Sequence, residues 1–241
     1  MVRMHTVLWL FLSGSLLASA PVSAQDFDTS ASSIDDQDRP DLLGALADSL
    51  RLLAIEHAFR VGVQEKTRQA LRGPFWKDYK RSVRMPQQWG DEDSRWINYV
   101  GHPIHGAAAG YIWVDHEPRA QSDFANDPRY WSSRARATLW AAAYSLQFEI
   151  GPLSEASIGN VGMRRETAGW VDHVVTPAGA FGLIVAEDAL DRFVVRRLEA
   201  RVGNQVARLL IRLSLNPGRT LSNVSSGRPP WHRDGRPLNW R

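Results

Sequence analysis

Two histidines three residues apart interrupt an apolar part of the sequence. His102 and His105 lie in the stretch Asn-Tyr-Val-Gly-His-Pro-Ile-His-Gly, residues 98–106, and a spacing of three places both imidazoles on one face of a helix. Such a pair can hold a metal ion or share proton-transfer work. The alternative is that both rings satisfy backbone groups at a helix start, because two histidines without a third ligand do not define a metal site.

Carboxylates interrupt the later apolar segments as well. Burial of ionisable groups is costly unless they pair or bind a metal, so their positions at segment ends predict one shared cluster. The predicted catalytic residues are His102, His105, Glu149, Glu155 and Asp172, with His102 and His105 as predicted metal ligands. Nitrogen and oxygen ligands suit zinc or manganese, so a divalent metal is the candidate cofactor. An acid–base couple and a purely structural hydrogen-bond network are the other two interpretations.

Several classes of catalytic motif are absent from the chain. The sequence contains no His-Glu-x-x-His, no Gly-x-Ser-x-Gly and no phosphate-binding loop. It also contains no cysteine, which excludes disulfide bonds and a thiol nucleophile. The motifs therefore give a candidate site without a defined reaction.

Apolar periodicity predicts that helices position these polar groups. We expect a helix over 103–114, because Pro103 suits a first turn and Gly101 is a natural break before it. Gly106 and Gly110 within it are four apart, which predicts close approach of another backbone. Each glycine costs a helix about 1 kcal/mol relative to alanine, and close packing would offset that cost. Further helices are predicted over 41–73, 130–150 and 186–213.

The first predicted helix carries an apolar stripe that we interpret as core or as a surface for a partner helix. Its members recur at a spacing of three to four: Leu42, Leu46, Leu50, Leu53, Ile55, Phe59 and Val63. The chain has no strand-like alternation, so the predicted fold class is all-α. We expect a single compact domain of short Gly/Ala-rich helices over 41–215 and an extended tail over 216–241.

The N-terminus predicts export. Arg3 and His5 precede an apolar run, residues 7–20, and a small-residue cleavage site follows, which is the pattern of a signal peptide over 1–24. Residues 25–40 are rich in Asp and Ser and predict a disordered linker. We therefore expect a location in the periplasm or at the periphery of the outer membrane. Without a cysteine at the cleavage site, a lipid-anchored lipoprotein is excluded.

The charge balance is weakly basic, with 29 Lys and Arg against 26 Asp and Glu. In an exported protein, this favours anionic lipid headgroups or acidic glycans over nucleic acid. Residues 74–93 combine Trp and Tyr with Lys and Arg, a composition typical of a membrane-interface belt and equally of a connector packed on a core. The candidate partners are envelope lipid or a membrane protein, no nucleic acid is expected, and the oligomeric state is left open.

The histidine stretch also carries a resemblance to a known family. An Asn-Tyr-x-x-His-Pro-x-His-Gly motif begins at Asn98, and ten further positions follow in order: Glu149, Glu155, Ser157, Ile158, Asp172, Thr176, Pro177, Gly179, Ala180 and Glu187. The pattern spans 96–188 and resembles a bacterial domain-of-unknown-function family of exported cell-envelope proteins. This chain has an insertion over 159–170, and Ala186 where that family has Gly. The resemblance implies an envelope location and no particular activity.

The sequence thus leads to two hypotheses of function. The first is an exported, non-catalytic helical protein that is membrane-associated or binds a partner or lipid. The alternative is a metal-dependent or acid–base hydrolase of envelope material that uses His102 and His105, supported by Glu149, Glu155 and Asp172. The two differ in whether substitution of the histidines removes metal or activity, or only lowers stability.

Overall fold

The computed structural model describes residues 39–84, 86–159 and 161–238. The predicted signal peptide 1–24 lies outside these residues, as does the predicted linker 25–40 except for its last two positions. The described residues form helices joined by turns, without a β-strand, so the all-α prediction is confirmed. Within the same ranges, no helix combines the length and apolar composition needed to cross a bilayer.

The helices are joined by tight turns and by three longer connections, 83–96, 117–127 and 159–170. In chain order they are α1 Leu42–Val63, α2 Glu65–Ala70, α3 Phe75–Ser82, α4 His102–His116, α5 Pro128–Ile150, α6 Glu155–Ile158, α7 Val171–Leu190, α8 Arg196–Arg201, α9 Gln205–Leu215 and α10 Pro217–Ser225. π-helical turns, Ile97–Gly101 and Asp191–Val195, precede α4 and follow α7. Side-chain oxygens of Asp41, Asp127 and Asn204 accept backbone N–H groups at the starts of α1, α5 and α9.

Helix α4 is the centre of the fold. It packs against α1, α5, α7 and α10, and five of its residues have no exposed surface: Ala107, Ala108, Ala109, Tyr111 and Ile112. Burial on all sides explains why this helix is apolar around its circumference. His102 and His105, the two histidines predicted as site residues, lie at its N-terminal end.

The two glycines of α4 allow the close packing that their spacing predicts. A Cβ atom at Gly106 would lie 2.8 Å from the carbonyl oxygen of Thr176 and 2.9 Å from the Cβ of Ala180, both on α7. At Gly110, it would lie 2.5 Å from the Cδ1 of Ile184. At Gly106, the helices α4 and α7 therefore approach more closely than a Cβ permits, whereas at Gly110 the Ile184 side chain would have to move.

Gly106→Ala is expected to destabilise the protein by about 2 kcal/mol, because the new methyl group meets a backbone oxygen that moves only with its helix. Gly182→Ala is the matched control on α7, since a Cβ there meets nothing within 4 Å. That variant is expected to gain up to about 1 kcal/mol from helix propensity. Denaturant unfolding measures both free energies, and equal changes in the two variants would contradict the packing argument.

Gly101 is not a helix break, which corrects one prediction. Its backbone is helical, and the π-helical turn Ile97–Gly101 continues directly into α4. In this wide turn, the N–H of His102 donates to the carbonyl of Ile97. Pro103 has no N–H to donate, so a wide turn before it accommodates the proline within a continuing helix.

The C-terminal part of the chain also differs from prediction. The helix expected over 186–213 is interrupted after Arg201, because Asn204 begins a separate helix by accepting N–H groups of Val206 and Ala207. The tail expected to be extended over 216–241 instead contains α10, which packs on α4. Pro217 occupies the first turn of α10, where a missing N–H costs nothing.

Glu187 of α7 holds the start of α10. Its carboxylate accepts the backbone N–H groups of Gly218, at 2.7 Å, and Arg219, at 3.1 Å. Burial raises the pKa of Glu187 to about 7, and the neighbouring Asp188 adds to the rise. The two N–H groups and the Arg219 guanidinium lower this pKa, but their effect is smaller. The folded protein therefore binds this proton more tightly than the unfolded chain does.

Stability is consequently expected to fall as the pH rises. The contribution of Glu187 to the free energy of unfolding is fully present below its unfolded pKa near 4.5 and is lost as the pH rises through about 7. The loss amounts to about 3 kcal/mol. Glu187→Gln removes the titration, so unfolding free energies at acidic and alkaline pH should differ less in this variant. Identical pH profiles for both proteins would rule out the effect.

Helix α1 turns a different face to the core from the one predicted. Most of its apolar stripe is exposed, with Leu50 at 60% and Phe59 at 68% exposure, so the interpretation as core is wrong for those residues. The face that packs inward carries Ala45, Ser49, Leu52, Leu53 and Glu56, of which only Leu53 belongs to the predicted stripe. This face lies against α4 and α10.

Candidate functional site

His102 lies at the junction of three helices. It is the first residue of α4 and is buried. Its Nδ1 lies 3.2 Å from the Thr176 hydroxyl and 3.9 Å from Glu149 Oε1, while its Nε2 lies 3.4 Å from Asp172 Oδ1. Asp172 and Thr176 are one turn apart on α7, and Glu149 ends α5. Helix α7 thus supplies a group on each side of the imidazole, and α5 adds Glu149 on the Nδ1 side.

His102, Glu149 and Asp172 form what we call the candidate cation site. One nitrogen and two carboxylate oxygens, one from each residue, all lie within 4.8 Å of one another. Glu149 Oε1 and Asp172 Oδ1 are buried and have no hydrogen-bond partner among the described residues. Buried oxygens without a partner are costly, so this arrangement requires either protons or a cation between the groups.

Burial shifts all three groups towards their neutral forms. Burial lowers the pKa of His102 to about 3, and nearby His105 contributes to the fall. Burial raises the pKa of Asp172 to about 9, helped by its hydrogen bond with Asp91. Burial also raises the pKa of Glu149 well above its usual value, with further contributions from Glu155 and Asp172. A neutral imidazole offers a lone pair to a metal, and a dication would compensate both carboxylates.

Two further acidic residues surround this site. Asp91, in the loop after α3, accepts a hydrogen bond from Asn98 Nδ2 at 2.8 Å and shares one with Asp172. Burial would raise the pKa of Asp91, but the hydrogen bonds from Asp172 and Asn98 outweigh it and lower that pKa. Glu155 of α6 forms an ion pair with Arg60, although burial still raises its pKa. Arg60 thus offsets only part of the negative charge.

His105 belongs to a separate hydrogen-bonded chain. Its Nδ1 lies 2.8 Å from Glu56 Oε1, and the Tyr144 hydroxyl donates to Glu56 Oε2 at 2.8 Å. Burial raises the pKa of Tyr144, and the Glu56 charge adds to the effect, so the phenol keeps its proton. The carboxylate fixes His105 with Nδ1 protonated, which leaves Nε2 as an acceptor. That Nε2 has no hydrogen-bond partner among the described residues.

Both histidines line an open groove with a volume of about 410 Å³, which we call the His105 groove. Its apolar lining comes from several elements: Ile55, Phe59, Ile97, Phe148 and Leu221. The His105 ring packs edge-on to Phe148, with 4.5 Å between centroids. The groove therefore combines these apolar walls with the two imidazoles and the charged side chains of Glu56, Arg60, Asp93 and Glu155. Apolar walls with a few convergent polar groups are the usual character of a small-molecule site.

The structure brings the predicted site residues together in two groups. His102, Glu149 and Asp172 meet in the candidate cation site, with Glu155 beside it. The sequence paired His105 with His102 as metal ligands. The two ring centroids are 5.8 Å apart, and His105 forms its hydrogen bond with Glu56 instead.

Sequence reasoning missed Glu56, Asp91 and Tyr144 as members of the site. Glu56 had a detectable signal, since it continues the spacing of the buried Ala45, Ser49 and Leu52 along α1. An acidic residue on an inward stripe predicts a buried partner. Asp91 lies in a loop and Tyr144 in an apolar helix, and neither position has a comparable signal.

The molecule is thus an all-α protein with a buried imidazole–carboxylate site at the start of its central helix, and His102 of that site also lines the His105 groove. No protein-family model matches the chain, and comparisons with curated proteins and with solved structures return no match. The resemblance to an exported envelope family therefore stays a prediction.

Proposed function

We propose that this protein is a metal-dependent hydrolase of cell-envelope material that binds one divalent cation through His102, Glu149 and Asp172. The observation that carries the proposal is the pair of buried, unpartnered carboxylate oxygens beside a neutral imidazole. One nitrogen and two oxygen ligands suit zinc or manganese. Three protein ligands also leave coordination positions for water and substrate, as catalytic sites require.

The surrounding residues support this set of ligands. A hydrogen bond from His102 Nδ1 to the Thr176 hydroxyl leaves Nε2, the nitrogen nearest Asp172, free to bind the cation. Asp91 orients the Asp172 carboxyl from its other side. A bound cation would supply Lewis acidity and lower the pKa of a water molecule.

His105 is the candidate general base of this hydrolase. Glu56, itself bonded by Tyr144, holds its ring. Its Nε2 is buried and has no hydrogen-bond partner among the described residues, and it is the atom that would accept a proton from a nucleophilic water. The apolar walls of the His105 groove would hold the substrate and exclude bulk water. Export to the periplasm or outer-membrane periphery, as the N-terminal sequence predicts, would place this site among envelope substrates.

Cation binding tests the first part of the proposal. Chelator-treated protein, purified without a metal-affinity resin, is titrated calorimetrically with Zn²⁺ and with Mn²⁺. We expect one cation per chain and a higher melting temperature on binding. Hydrolysis of chromogenic esters and amides is then compared with and without the cation. A protein that binds neither ion stoichiometrically would refute the proposal.

The second candidate is a non-catalytic lipid-binding or partner-binding protein, and the apolar lining of the His105 groove favours it. Under this hypothesis, the imidazoles and carboxylates fasten helix ends to one another. A lipid that co-purifies with the protein, or binds it without turnover and regardless of added cation, would support this candidate over the hydrolase.

A further inference from the structure

The outward face of α3 combines one tryptophan with three cations. Trp76, Lys77, Lys80 and Arg81 are all exposed, and Trp76 retains 66% of its surface. Trp76 and Lys80 are four residues apart, as are Lys77 and Arg81, so the four side chains form one continuous face. Leu71 before the helix and Val83 after it are exposed too. We call this set the α3 face.

The opposite side of α3 fixes the direction of that face. The Tyr79 hydroxyl donates to the carbonyl of Ile150 at 2.9 Å, and Ser82 is buried. Phe75 packs against Tyr79, with ring centroids 6.3 Å apart. The helix is therefore anchored through its inner residues, and rotation that would bury Trp76 is prevented.

The three cations of the α3 face differ from the arginines that bind carboxylates inside the molecule. Arg134, Arg212 and Arg236 bond to buried or half-buried carboxylates. Within residues 39–84, 86–159 and 161–238, by contrast, Lys77, Lys80 and Arg81 have no carboxylate within ion-pair distance. Positive charge on this face is thus left available for an external partner.

We propose that the α3 face docks on an anionic lipid bilayer. The three cations match the negative headgroups, and the amphipathic indole of Trp76 suits the interfacial layer between headgroups and acyl chains. The exposed Leu71 and Val83 extend the apolar contact on both sides of the helix. An acidic protein or a nucleic acid would need only the positive charge of this face. The exposed apolar residues beside the charge therefore favour a lipid surface. The inference does not depend on the cation site.

Vesicle co-sedimentation of the full chain tests this docking. Phosphatidylcholine vesicles with and without phosphatidylglycerol are compared at physiological ionic strength. The wild type is expected to bind the anionic vesicles more tightly. The triple variant Lys77→Gln, Lys80→Gln, Arg81→Gln should bind them about 100-fold more weakly, since each cation contributes about a factor of five. Trp76→Ala should weaken binding that persists at high salt.

Two control proteins make the result specific. The first is a triple variant that removes the same charge from other exposed positions: Arg129→Gln, Arg197→Gln, Arg201→Gln. It should bind the anionic vesicles like the wild type. The second is a double variant that preserves the charge of the α3 face: Lys77→Arg, Lys80→Arg. It should also bind the anionic vesicles like the wild type. Equal binding of the α3 triple variant and the wild type would overturn the proposal. So would equal weakening in the control triple variant, or binding to a DNA duplex or acidic peptide in preference to anionic vesicles.

Discussion

His102→Ala is expected to bind Zn²⁺ at least about 100-fold more weakly than the wild-type protein. The substitution removes the one nitrogen ligand of the candidate cation site and leaves Glu149 and Asp172 facing an empty space. His102 is the one histidine among the three residues of the candidate cation site, so the variant keeps only the two carboxylates. Calorimetric titration and elemental analysis of the purified variant both measure the loss.

His105→Ala is the matched comparison from the same helix turn. It lies outside the candidate cation site, so its cation affinity should stay close to that of the wild type. If His105 is the general base, its removal should lower turnover by about 100-fold or more. Loss of the cation from both variants, or from neither, would contradict the assignment of separate roles. A folded His102→Ala protein with full cation content would do the same.

Asp188→Ala is expected to destabilise the protein by about 3–5 kcal/mol, the largest stability effect we predict. The Asp188 carboxylate accepts hydrogen bonds from Arg134 Nε at 2.7 Å, the Tyr130 hydroxyl at 2.9 Å and the Tyr111 hydroxyl at 3.0 Å. Arg134 has no exposed surface. Removal of the carboxylate therefore leaves a fully buried guanidinium without its counter-charge.

Asp123→Ala is the control for this prediction. Asp123 pairs with Arg196 on the surface, where both side chains are substantially exposed. Loss of an exposed ion pair should cost less than about 1 kcal/mol. Chemical denaturation gives both free energies of unfolding. If Asp188→Ala lowered the free energy of unfolding as little as Asp123→Ala does, the prediction would be wrong. The charge of the Arg134 guanidinium would then be compensated by other groups.

The sequence alone determined the fold class and the central helix. Helical periodicity with no strand-like alternation led directly to an all-α fold. The spacing of Gly106 and Gly110 identified a close helix contact, because a missing Cβ has a local geometric consequence that no distant residue alters. Polar residues at the ends of apolar segments predicted one cluster of five residues, of which His102, Glu149 and Asp172 meet in the candidate cation site. Burial of such groups is costly enough that they must find one another.

Only the tertiary structure decided which face of each helix is buried and which partner each histidine takes. Most of the apolar stripe of α1, including Leu50 and Phe59, is exposed, whereas the neighbouring Leu52 is buried in the core. Glu56 and His105 are 49 positions apart in the chain, and their hydrogen bond exists only because α1 crosses the start of α4. Helix α10 likewise depends on Glu187 from another helix. Local sequence carries no information about such distant contacts. These contacts give the two histidines different hydrogen-bond partners.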